Sequence, residues 1–149
     1  MSNFSHNSSK FAGHGEYYIK RSGNVLYVNL RGGWNEEAAL AYSKKIKQCI
    51  EYFNNQPWAI ISDLNDWELY TPECFPIISK LVLHAIQSGM RKEAIVSQTN
   101  RVKLQPFALD KDVFLTFERR FFTELDEAHI WLKDEGYVSD NAGTTSLDN

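Results

Sequence analysis

The residues best suited to chemistry gather in one stretch, Asp63, Asp66, Trp67, Tyr70 and Thr71. Two carboxylates three positions apart could act as general acid and base or hold a divalent cation, since hard cations take several oxygen ligands. An aspartate at a strand end also bonds the backbone of its own turn, and spacing alone favours that use. The four histidines, His6, His14, His84 and His129, show neither a His-x-x-x-His nor a HExxH spacing, so no metal site is expected. The glycine pair Gly32-Gly33 is followed by Trp34, which excludes P-loop and dinucleotide patterns, and no nucleophile elbow occurs. The sequence therefore assembles no catalytic constellation, and the expectation is a protein that is not an enzyme and needs no cofactor. Trp34, Asn35, Asp63, Asp66, Trp67, Tyr70, Thr71 and Arg101 instead have the composition of a binding face, because tryptophan, tyrosine and arginine dominate interface hot spots.

Composition narrows the classes further. With 149 residues, 43% hydrophobic and 23% charged, the chain suits one globular domain with one sizeable core. A formal charge of −3 leaves no basic field to neutralise phosphates, so nucleic acid is not an expected partner. The pairs Lys44-Lys45 and Arg119-Arg120 read as solvated surface charge. No apolar run approaches the roughly 18 residues of a spanning helix, and residues 1–10 carry no secretory pattern, so a soluble cytoplasmic protein is expected. Cys49 and Cys74 stand on apolar helical stretches and read as buried thiols.

The elements that position these residues follow from periodicity. Residues 1–14 and 139–149 are rich in Ser, Asn, Gly and Thr and are expected to be disordered tails around a domain at 15–138. Residues 16–21 and 24–30 read as a hairpin about Ser22-Gly23, with Gly32-Gly33-Trp34 as the loop after it. Asn35 caps a helix whose Ala39, Tyr42, Ile46, Cys49, Ile50 and Phe53 form one buried stripe. Residues 57–64 hold the apolar run Trp58-Ala59-Ile60-Ile61, a central strand covered on both faces. Thr71 as cap and Pro72 at the first helical position open a second helix, with Pro76 as a complication, and Phe75, Ile78, Leu81, Val82, Ala85 and Ile86 face the core up to Gly89. A strand at 93–97, a helix at 106–117 carrying Leu109, Val113 and Phe117, a strand at 120–123 and a last helix around Ala128, Trp131 and Leu132 that stops at Gly136 complete the order ββαβαβαβα. Such an order predicts an α/β fold with a mixed sheet: a hairpin, then parallel strands with crossover helices.

This order, with Val25-Leu26-Tyr27-Val28-Asn29-Leu30-Arg31-Gly32, Trp58-Ala59-Ile60-Ile61-Ser62-Asp63-Leu64 and Thr71-Pro72-Glu73, resembles the STAS-like superfamily, the SpoIIAA-like fold of anti-sigma-factor antagonists, over about residues 16–136. It is most similar to the small bacterial branch of STAS-like proteins with no assigned activity. The resemblance implies a non-catalytic regulatory or protein-interaction module. In the antagonists the turn between the third strand and the second helix carries an Asp-Ser-Ser-Gly type motif with a phosphorylatable hydroxyl, and this turn docks the partner kinase. Here that stretch is Leu69-Tyr70-Thr71-Pro72-Glu73, in which only the Thr71 hydroxyl matches and the acidic and glycine positions are replaced. Thr71 is thus a candidate phosphoacceptor.

In open α/β sheets, ligands settle beyond the carboxyl ends of the parallel strands, where Trp34, Asn35, Asp63, Asp66, Trp67, Tyr70, Gln98, Asn100 and Arg101 should meet. An alternative follows from the 13% aromatic content and the broad apolar face of the helix at 72–89: a carrier or sensor of a small apolar or lipid-like ligand held between that helix and the sheet. Both readings leave room for a homodimer.

Overall fold

The computed structural model describes the backbone at residues 7–8 and residues 15–98, 105–109, 112 and 115–138 in full. Strands are β1 (Asn7–Ser8), β2 (Glu16–Ser22), β3 (Val25–Trp34), β4 (Trp58–Asp63), β5 (Trp67–Tyr70), β6 (Met90–Val96) and β7 (Glu118–Phe122). Helices are α1 (Glu36–Glu51), α2 (Cys74–Gln87) and α3 (Leu125–Asp134). The sheet runs β1-β2-β3-β4-β6-β7, antiparallel through β3 and parallel from there to β7. This is the mixed α/β sheet expected.

Period-two alternation along the central strands divides the core into two layers. Leu26, Val28, Trp58, Ile60 and Ile95 face α1 and α2 in one cluster, and Val25, Ala59, Ile61, Ala94 and Val96 face Ala128, Trp131 and Leu132 of α3 in the other. The α3 side is lined by smaller side chains, so one helix suffices to cover β4 and β6. Residues 58–61 are indeed a central strand buried on both faces. The hairpin pairs Ser22 with Val25 across Gly23, whose φ of 62° is the left-handed turn conformation that favours glycine. Asn35 caps α1 as expected, its Oδ1 accepting from the Ala38 amide at 3.0 Å. Cys49 and Cys74 are both buried, and burial pushes the Cys49 thiol up to about 12.

Four expectations need correction. Gly32-Gly33-Trp34 is not a loop: β3 runs through Trp34, because β5 takes up its pairing where β4 leaves off, matching Gly32 to Trp67 and Trp34 to Tyr70. Thr71 does not cap α2 through a side-chain bond to a backbone amide: the helix starts at Cys74, its N-cap Glu73 makes no side-chain cap, and the Thr71 carbonyl accepts from the Cys74 amide at 3.0 Å while its hydroxyl lies 4.0 Å from Cys74 Sγ. Pro76 is then the third helical residue, where an amide has no intrahelical partner to lose. The helix at 106–117 is not formed as one element: among the described residues tight turns stand at 105–107 and again at 112 and 115, and Val113 lies outside them. Finally, Arg119 is not solvated. Its side chain is 6% exposed and its Nη2 lies 2.7 Å from Glu93, whereas Arg120 is 54% exposed as expected of a surface charge.

Candidate functional site

Parallel pairing brings the carboxyl ends of β3, β4 and β6 together, and backbone bonds from Gly32 N to Asp66 O and from Leu64 N to Val96 O, each 2.9 Å, lock the turns between them. The two carboxylates are spent on this turn. Asp63 accepts from the Tyr27 hydroxyl at 2.8 Å and from both the amide and the side chain of Asn65 at 3.2 Å. Burial, reinforced by that bond to Asp63, pushes the Tyr27 hydroxyl well above its ordinary range. Asn29, buried within β3, donates to Asp66 Oδ2 at 3.3 Å and to the Asp63 carbonyl at 3.4 Å, and its own oxygen accepts from Arg31. Asn65 reaches the third strand end by accepting from the Gln98 amide at 2.9 Å. Among the described residues no group of three His, Cys, Asp or Glu is placed to hold a metal ion. The arrangement is a turn that stiffens itself.

Trp34 and Trp67 lie under this surface rather than on it, 2% and 1% exposed. Trp34 Nε1 donates to Arg31 O at 2.9 Å, and its ring meets Trp67 edge-on at 6.1 Å. Trp67 stacks on Tyr70 at 5.1 Å with an interplanar angle of 11°. As side chains that touch a partner directly, both tryptophans are therefore out of place: each indole has been used to close the core where β3 and β5 pair. Asn35 is likewise occupied, by the α1 cap. Arg101 and Asn100 lie outside the described residues.

What these rings support is an exposed corner in which the residue types singled out Tyr70 and Thr71 but not Leu69. Glu68, Leu69, Thr71, Pro72 and Glu73 are exposed around a half-buried Tyr70, and Leu69 alone is 76% exposed. Trp67 and Phe75 flank Tyr70, and the Thr71 amide donates to Trp34 O at 2.9 Å, so the corner is held from beneath. The Glu73 carboxyl sits below its ordinary value because its own backbone amide and the Thr71 hydroxyl bond to it. An apolar leucine in a short, otherwise polar connection was the available signal for this corner. A different region offers volume: an open cleft of about 450 Å³ at the amino ends of β6 and β7, lined by Arg91, Lys92 and 115–119. Its cations are already engaged, Lys92 Nζ with Glu118 at 2.7 Å and Arg91 with the carbonyl of Ile86 at 3.1 Å. The apolar face of α2 is packed into the main cluster, with Ile78, Leu81, Val82, Ala85 and Ile86 all buried.

Strand order, the paired helices on one face and the single helix on the other define an α/β protein of the SpoIIAA-like fold, the architecture that the sequence resemblance implied. Among solved structures the chain is similar to an uncharacterized protein of the DUF3478 family with a SpoIIAA-like fold from Shewanella loihica PV-4, with a TM-score of 0.60 and 20% identity over 85% of this chain and 98% of that one. At that identity the likeness concerns the fold. No family model and no curated protein matches the sequence. No helix among the described residues is long and apolar enough to cross a membrane.

Proposed function

We propose that residues 15–138 form a non-catalytic interaction module of the STAS-like type, which binds a protein partner through the corner at residues 68–73. The observation that supports it most is a leucine 76% exposed on a segment anchored by two buried tryptophans. A large apolar side chain held out on a rigid base loses little freedom on binding, which is what an interface anchor requires. By the sequence resemblance, the corner corresponds to the turn through which the antagonists dock their kinase. Thr71, exposed beside Glu73, is the hydroxyl through which phosphate would change the charge of this surface. Two buried free thiols suit a reducing, cytoplasmic setting.

The test compares the tagged chain with its Leu69→Asp variant after expression in its own cells, using native mass spectrometry. The expected result is a protein partner retained by the parent and lost from a variant that unfolds at the same denaturant concentration. The same set of bound species on both would refute the assignment.

A further inference from the structure

The main core contains a charge pair that packing does not explain. Glu93 on β6 and Arg119 on β7 are 3% and 6% exposed at their side chains, with Arg119 Nη2 2.7 Å and Nε 2.9 Å from Glu93 Oε1. Glu93 Oε2 accepts from Ser62 Oγ at 3.1 Å. Taking two charges out of water is costly, and apolar side chains of similar volume would often serve stability as well or better. The guanidinium has a second role: its Nη1 donates to the backbone carbonyl of Phe107. Next to that tether, Ser79 Oγ on α2 donates to Pro106 O at 3.1 Å. The segment so held places the Phe107 ring, 4% exposed, edge-on against Trp67 at 5.8 Å. Trp67 stacks on Tyr70, beside Thr71. Direct contacts thus run from the buried pair to the exposed corner.

We infer that the Glu93–Arg119 pair is a latch: Glu93 orients Arg119, Arg119 and Ser79 seat residues 105–109 on Trp67, and the seated segment sets the conformation of the corner at 68–73. Arg119 and Ser79 are positioning residues. Seating closes Trp67 from solvent and presents Tyr70 and Thr71 in one arrangement; unseating would free both. The latch rests on the corner being the docking face, but its test needs no partner, so the two can fail separately.

Hydrogen exchange of the full chain, followed by mass spectrometry, reads the corner amides at 67–75 against those of the hairpin at 16–30. A Glu93→Leu, Arg119→Met double variant removes the tether without leaving a buried charge alone, and Ser79→Ala removes only the second tether. The latch requires corner exchange about ten-fold faster or more in the double variant and about two- to five-fold faster in Ser79→Ala, with hairpin rates unchanged. Corner rates equal to the parent's in the double variant, or hairpin rates raised as much as corner rates, would overturn it. Should the double variant not fold, Ser79→Ala decides by the same comparison.

Discussion

Replacing Trp67 by alanine separates a tryptophan that closes the core from one that grips a partner. Trp67 is 1% exposed and makes ring contacts with Trp34 at 6.1 Å, Tyr70 at 5.1 Å and Phe107 at 5.8 Å. Truncating a buried aromatic to alanine costs about 3–5 kcal/mol, and aromatic pairs of this kind carry about 0.5–1.5 kcal/mol each beyond burial. A loss near 4 kcal/mol is a large share of the roughly 5–15 kcal/mol that holds such a domain folded. With a urea dependence of about 2 kcal/mol per molar, the unfolding midpoint should fall by about 2 M. Leu69→Asp is the control: at 76% exposure it should move the midpoint by no more than about 0.5 kcal/mol in stability. Equilibrium unfolding followed by far-UV circular dichroism makes the comparison. A Trp67→Ala chain that unfolds with the parent would show that the indole is not a core element, and the corner would lose its rigid base.

Other substitutions test the local geometry. Asn35→Ala should cost about 0.5–2 kcal/mol because it removes the bond to Ala38 N, whereas Thr71→Ala, which removes no helix cap, should cost less; equal losses would contradict the helix starts described. Gly89→Ala should lose more than about 1 kcal/mol, since φ is +109° and a Cβ there would stand 2.6 Å from Gln56 O; an unchanged midpoint would exclude that conformation. His129 should titrate below its ordinary 6.5, because burial disfavours the cation more than Asp126 favours it. The neutral ring's contribution to stability is then complete above 6.5 and is lost as pH falls toward the depressed folded value, so His129→Gln should flatten that part of the pH profile. An imidazole proton shift with its midpoint at or above 6.5 would contradict it.

The elements legible in the sequence are those whose pattern is local. The α1 stripe from Ala39 to Phe53, the doubly buried run at 58–61 and the hairpin about Gly23 each specify their own neighbours by period and turn chemistry. What could not be read depends on pairing between distant segments. Gly32 and Gly33 look like a break until β5 is set beside them, and that same pairing turns Trp34 and Trp67 from surface candidates into core. Leu109, Val113 and Phe117 share a helical spacing, yet Phe107 and Phe117 are both buried in the main cluster, and Phe107 is held there by bonds from Ser79 and Arg119 to its own segment. Arg119 beside Arg120 reads as surface charge because its partner, Glu93, lies 26 positions away. Of the candidate site residues, Trp34, Trp67, Tyr70 and Thr71 are in contact where β3 pairs with β5, whereas Asp63 and Asp66 bond within the turn beside it. Which of them faces solvent was decided by packing.

Site-specific photo-crosslinking tests whether the corner at 68–73 docks a protein. A benzophenone side chain placed at position 69, on the corner, is compared with one at position 40 on α1, where Leu40 is also exposed, at 52%. After irradiation in the cells that produce the chain, a discrete protein adduct is expected from position 69 and none of that mass from position 40. The same adducts from both positions, or an adduct from position 40 alone, would contradict it.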